Sequence, residues 1–174
     1  CSACDAGQYS AVSTDACVEC GAGSVTDTLS SSGASSCSAC EAGRYSPGST
    51  DACIDCAAGS ITETLASSGA SSCTACDAGR FSTAPTEACG DCNAGQYMEF
   101  SGATSCLRCA VGKYSTTVGS LRVTDCITCG AGRYVEVMGS DEESDCTLCD
   151  AGKFSTVIGS GAESHCTECV AGKY

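Results

Sequence analysis

Large apolar side chains in this sequence follow neither the 3.6-residue spacing of an amphipathic helix nor the two-residue alternation of a half-buried strand. They keep step with cysteine pairs of the form Cys-x-x-Cys. Counting the first cysteine of a pair as zero, position +8 carries Tyr9, Val25, Tyr45, Ile61, Phe81, Tyr97, Tyr114, Tyr134, Phe154 and Tyr174, and eight of the nine aromatics fall there. Long units add a second apolar position at +12: Leu29, Leu65, Val118, Met138 and Ile158; Phe100, at +11 of its unit, fills the same slot. Glycine interrupts every unit and the cysteines lie close together, so no amphipathic helix fits between them. The x-Ala-Gly-x step reads as a turn with glycine at positive φ. The aromatic and the Ser or Thr after it read as a short extended piece, and stretches such as 30–36 and 139–143 as exposed loops. The pattern predicts short irregular β-strands and almost no helix.

The cysteine pairs begin at residues 1, 17, 37, 53, 73, 89, 106, 126, 146 and 166, in steps of 16, 20, 16, 20, 16, 17, 20, 20 and 20. A fixed period of this kind sets the architecture before any secondary structure is assigned. Residues 1–36 and 37–72 are identical at 26 of 36 positions, and 73–105 form a third, shortened copy. The expected organisation is three doublets of short and long cysteine loops (1–36, 37–72, 73–105), then three 20-residue loops and the start of a fourth over 106–174. The chain reads as a segment of a longer one. Only two residues separate the cysteines of a pair, which restricts bending, so the expected fold is an elongated rod of small disulfide-rich repeats stacked like a solenoid.

Composition strengthens this picture. Twenty of 174 residues are cysteine, tryptophan is absent, and Cys and Ala supply much of the 43% apolar content. Such a chain needs cross-links or metal to offset its folding entropy. The net charge of −13 argues against nucleic acid or an anionic membrane as a partner, and no apolar run is long enough to span a membrane.

Three chemistries are open to the cysteine pairs. The preferred one is a disulfide ladder in which the second cysteine of one pair bridges the first of the next: Cys4–Cys17, Cys20–Cys37, Cys40–Cys53, Cys56–Cys73, Cys76–Cys89, Cys92–Cys106, Cys109–Cys126, Cys129–Cys146 and Cys149–Cys166, with Cys1 and Cys169 pairing outside the segment. Each such closure is worth about 3 kcal/mol on the chain-entropy model. Spacing alone leaves connectivity open. Zinc is the second chemistry, because Cys-x2-Cys-x12–16-Cys-x2-Cys approaches a four-cysteine zinc spacing, but the pairs do not group consistently in twos past Cys89. The third, a redox Cys-x-x-Cys, needs a cationic or helix-terminal setting that Gly and Asp neighbours do not supply.

The phrase Cys-x-x-Cys-x-Ala-Gly-[Lys/Arg/Gln]-[Tyr/Phe]-Ser, with a Ser/Gly-rich loop before the next pair, resembles the ephrin-receptor-like cysteine-rich repeat. It is also similar to the single-disulfide loop modules of tumour-necrosis-factor-receptor ectodomains. The resemblance covers the whole chain and implies the same ladder, an extracellular or cell-surface location and protein partners. The chain departs from receptor modules in lacking interlocked two-disulfide units and in its regularity.

Other candidate positions are few. His165, the sole histidine, stands where Asp125 and Asp145 stand in earlier units, so a polar spacer is its expected role; with no second histidine there is nothing to build a catalytic or metal site around, and no enzyme activity or cofactor is expected. Six of eight basic residues follow the repeat glycine: Arg44, Arg80, Lys113, Arg133, Lys153 and Lys173. They read as amphipathic stems covering the adjacent disulfide, with a basic stripe for a neighbouring chain as the alternative. The acidic run 141–145 matches no calcium loop. Asn93, the only asparagine, lies outside any N-glycosylation sequon. Candidate O-glycosylation positions are Ser30, Ser31, Ser32, Ser67, Ser68, Thr116 and Thr117. Irregular patches at Met98-Glu99-Phe100 and Leu121-Arg122-Val123 are the places to look for a ligand. The leading functional expectation is an extracellular structural repeat protein (stalk, surface coat or filament subunit) that self-associates or meets other extracellular proteins; the alternative is a ligand-binding or adhesion ectodomain of a cell-surface receptor.

Overall fold

The computed structural model describes residues 2–172. Among them nine disulfides close nine successive loops: Cys4–Cys17, Cys20–Cys37, Cys40–Cys53, Cys56–Cys73, Cys76–Cys89, Cys92–Cys106, Cys109–Cys126, Cys129–Cys146 and Cys149–Cys166. Each loop contributes one two-stranded antiparallel hairpin. Its outgoing strand is the +7/+8 pair, such as Gln8–Tyr9. Its returning strand lies between the two cysteines of the next pair, such as Val18–Glu19. The hairpins stay two or three residues long because a turn with glycine in third place precedes each one. Gly7, at φ 83°, sits in the turn closed by the Gln8 amide donating to the Asp5 carbonyl, and other residues avoid that φ. The second cysteine of each pair then closes the hairpin by donating its amide to that glycine's carbonyl, as Cys20 does to Gly7 and Cys129 to Gly112. The described residues contain no α-helix; helical structure is limited to three single 3₁₀ turns, Val123–Asp125, Glu143–Asp145 and Glu163–His165.

The chain forms two compact units. The first comprises Cys1–Cys76, Ser82–Cys89 and Gly102–Thr104; the second comprises Asp77–Phe81, Gly90–Ser101 and Ser105–Tyr174. Within the first, each loop is tied to the next by backbone hydrogen bonds. The +9 amide donates to a carbonyl in the following loop (Ser10 to Ala34, Thr26 to Ser49, Ser46 to Ala70, Thr62 to Pro85, Ser82 to Ala103), and a glycine of that following loop donates back to a cysteine carbonyl (Gly33 to Cys4, Gly69 to Cys40, Gly102 to Cys76). Within the second unit the same ladder runs through Met98 to Ser120, Ser115 to Ser140 and Val135 to Ser160, answered by Gly119 to Cys92, Gly139 to Cys109 and Gly159 to Cys129. Its turn glycines add a rung, as in Gly95 to Ser115 and Gly112 to Val135.

Loops two apart also touch within each unit. A Cβ on Gly23 would lie 2.0 Å from the Gly69 carbonyl oxygen, and one on Gly112 the same 2.0 Å from that of Gly159. At Gly23, Gly59, Gly95 and Gly112 the repeat glycine therefore does two things at once: it takes a φ that other residues rarely adopt and leaves room for the backbone of the loop two further on.

The core is small and mostly not where large apolar residues recur. Position +9 holds it, with Thr26, Ser46, Thr62, Ser82, Met98, Ser115, Val135 and Ser155 all buried beside the disulfides. The +8 aromatics flank it: Tyr9, Tyr45, Phe81, Tyr97 and Tyr134 are half-buried, Tyr114 is buried and Phe154 is exposed. The +12 slot does not form a second core row. Val118, Met138 and Ile158 are exposed, as is Phe100.

Candidate functional surface

The buried Ser and Thr at +9 are satisfied inside their own repeat. The Ser46 hydroxyl donates to the Gly48 and Asp51 carbonyls at 2.6 and 3.0 Å, and Ser82 does the same to Ala84 and Glu87. Thr26 and Thr62 donate to the carbonyls of Leu29 and Leu65, the two non-glycine residues at positive φ (50° and 51°) among the described residues. Sequence reading missed this row by looking for large apolar side chains. The available signal was a Ser or Thr directly after the +8 residue in seven of the nine loops.

Basic residues after the repeat glycine lie along the hairpins. Arg44 pairs with Asp55 at 3.0 Å and its Nη2 donates to the Cys53 carbonyl, while Arg80 pairs with Asp91 at 2.9 Å. Arg133 Nη1 donates to the Cys146 carbonyl, and Lys153 meets Glu163 at 3.1 Å, which holds its ammonium above the ordinary lysine range. Lys173 and Cys1 lie outside the described residues. Cys169 is a free, half-buried thiol.

The two irregular patches come together in the second unit. The Glu99 carboxylate accepts from the Val123 amide at 3.0 Å, which leaves Phe100 pointing outward with 71% of its surface exposed, while Met98 belongs to the buried +9 row. Glu136 makes the same contact with the Glu163 amide. Asp125 and Asp145 each accept two amides at the head of a 3₁₀ turn; at the matching place His165 instead shares a hydrogen bond with Ser160 through Nδ1. In the acidic run, Asp141 and Asp145 line a shallow open groove with Val135, Val137, Ser140 and Thr147. No group of three or more metal-ligating side chains is gathered among the described residues.

The Ser- and Thr-rich tips carry the candidate glycosylation hydroxyls. Ser30, Ser31, Ser32, Ser67, Ser68, Thr116 and Thr117 are all exposed. In the first unit carboxylates staple the base of each tip. Asp27 accepts from the Ser35 hydroxyl and amide, and Glu63 from Ser71 and Ser72. The Ser71 hydroxyl, first among these donors, holds Glu63 down to about 2.

Residues 79–126 match the family model described as tyrosine-protein kinase ephrin type A/B receptor-like. No curated protein matches the chain. Nine disulfides in tandem and repeats of this type point to an extracellular domain, since disulfides persist in oxidising compartments; no helix among the described residues is long and apolar enough to cross a membrane.

Proposed function

Taking the chain as an array of cysteine-rich repeats, ephrin-receptor-like over residues 79–126, we propose that it is a load-bearing structural segment of an extracellular protein: a stalk, surface coat or filament subunit. The observation that carries this reading is the placement of the disulfides in series. Tension applied along the backbone runs through a Cys-x-x-Cys joint, across a bridge with 5.6–5.9 Å between its Cα atoms, and into the next joint. The chain within each loop, whose bridged cysteines have sequence separations of 13 to 17, stays slack. Fully extended, a 20-residue step reaches about 70 Å, whereas the bridged path through the same step reaches about 16 Å. The array thus resists stretching covalently.

Single-molecule pulling tests this. The oxidised chain should reach roughly a quarter of the contour length of the reduced chain, and oxidised chains that extend as far as reduced ones sink the reading. In native material, electron microscopy should find the array within continuous fibres, coats or stalks. The second reading, a ligand-binding ectodomain, draws on the match at 79–126 and on exposed Phe100; isolated chains that capture a soluble ligand would favour it. O-linked sugars on the tip hydroxyls of Ser30, Ser31, Ser32, Ser67, Ser68, Thr116 and Thr117 fit either reading.

A further inference from the structure

The second unit carries two features beyond the contacts that close its loops: exposed apolar loop tips and an uneven division of charge along its sequence. We propose that this unit binds the same unit of a second copy of the chain, side by side and antiparallel about a two-fold axis. The proposal deepens the structural reading above by naming a partner, and rests on that reading for its biological sense.

Apolar tips come first. Phe100, Val118, Val137, Met138, Val157 and Ile158 stand on four successive loops, and Phe100, Val137 and Ile158 are 71%, 67% and 67% exposed. In the first unit the long-loop tips are less exposed, with Leu29 at 36% and Leu65 half-buried, and Val12 is the one comparably exposed apolar residue at a described short-loop tip. Apolar side chains exposed at the same place on successive loops offer a repeated set of contacts to a partner. Several tips spaced by one repeat are covered together only by a partner with the same spacing, and a second copy has it.

Charge then selects the orientation. Residues 105–135 hold four bases (Arg108, Lys113, Arg122 and Arg133) against Asp125 alone, a net of +3; residues 136–172 hold eight acids against Lys153, a net of −7. Among the described residues the ion pairs within 4.0 Å use Arg44, Arg80 and Lys153, and none of those four bases. Parallel copies would lay like charge on like. Antiparallel copies lay the basic stretch of each on the acidic stretch of the other, densest at residues 141–145, and the contact is then self-complementary, as a two-fold dimer requires. The tips follow the same symmetry: Phe100 and Ile158, like Val118 and Met138, lie equally far along the sequence from residues 128–129. A two-fold axis there brings each level with its counterpart on the other copy.

Sedimentation equilibrium on the oxidised 174-residue chain tests the pairing, in a Cys1→Ser, Cys169→Ser background that removes thiol-linked dimers. The chain should dimerise with concentration. Reversing the basic stretch (Arg108→Glu, Lys113→Glu, Arg122→Glu) should weaken the dimer at least about 100-fold, as should reversing the acidic one (Asp141→Lys, Glu142→Lys, Glu143→Lys). Mixing the two reversed chains, or combining both sets in one chain, should restore it. Phe100→Ser with Met138→Ser should weaken it about tenfold with charge untouched. A chain that stays monomeric into the millimolar range, a dimer indifferent to charge reversal, or association seen only with an added basic peptide overturns the proposal. Peptide mapping of all nine disulfides certifies that each variant has folded, with the neutral set Arg108→Gln, Lys113→Gln, Arg122→Gln in reserve. Pulling experiments need no second copy, so loss of the dimer with load-sharing intact removes the pairing and leaves the structural reading standing.

Discussion

The first and second units stack their loops by the same backbone rungs and finish their loop tips in different ways. In the first, Leu29 and Leu65 are held at positive φ by threonine hydroxyls beneath them, and Asp27 and Glu63 staple each tip to the serines ahead of the next cysteine. In the second, the tips close on Gly119, Gly139 and Gly159 followed by a single 3₁₀ turn, ended in two cases by an aspartate that reaches back to accept the two amides just ahead of the turn. The buried row differs as well. It is Thr and Ser throughout the first unit's long and short loops, but Met98 and Val135 alternate with serines in the second. The stacking is thus specified by backbone amides, carbonyls and the repeat glycine. Side chains at the tips and in the buried row are free to change as long as each remains satisfied.

The strongest challenge is to the shared part. Gly23→Ala in the first unit and Gly112→Ala in the second should cost about the same, about 3–5 kcal/mol each, because both combine positive φ with a clash against backbone. Gly132→Ala, at φ 76° with open space around its Cβ, should cost only about 1–2 kcal/mol. Hydrogen exchange of the neighbouring rung amides measures all three. Equal losses at Gly112 and Gly132 would mean that the approach of the loop two further on is not what excludes a side chain.

The buried row offers the next test, with opposite chemistry in the two units. Thr62→Val removes the hydroxyl that supports the Leu65 carbonyl and should cost about 1–2 kcal/mol. Val135→Thr places a hydroxyl against Tyr114, Cys129 and Cys146 and should cost about 1–3 kcal/mol. Local exchange rates at Leu65 and Val135 read out both changes; a neutral Thr62→Val would show that the hydroxyl is incidental.

The smallest effect is expected at the carboxylate staple. Hydrogen bonding by Ser71 and Ser72 depresses Glu63 to about 2, below its unfolded value near 4.3. A depressed carboxyl contributes stability above the unfolded value and loses it as pH falls through the folded one. Exchange protection at Ser71 and Ser72 should therefore hold at pH 5 and decline between about pH 4 and pH 2, and Glu63→Gln should flatten that decline. The group is exposed, so the change stays local. Protection that is flat in the native chain across this range would rule out the staple.

The cysteine period predicts tandem loops with short strands and almost no helix, because the pairs are dense and glycine breaks every unit. The buried row stayed hidden for a physical reason. A core of serine and threonine carries no hydropathy signal; only its hydrogen bonds make burial tolerable, and those depend on how each loop folds its own carbonyls back over the hydroxyl. Met138 and Ile158 are the converse case: they hold a regular apolar position along the sequence, and the structure leaves both exposed. The staples at Asp27 and Glu63 join residues eight or nine apart across a tip whose path the spacing does not fix.

The carbonyl that occupies the space above each blocked repeat glycine arrives late in the chain's history. Gly23 meets residue 69, and Gly112 meets residue 159, nearly fifty residues downstream. A ribosome adding about 5–20 residues each second therefore leaves every new loop uncovered for several seconds after its own cysteines have emerged. Oxidation in that interval acts on loops tied only to their immediate neighbours, so cysteine pairing is guided by the turn, the two-residue joint and the adjacent rungs before the loop two further on closes over them.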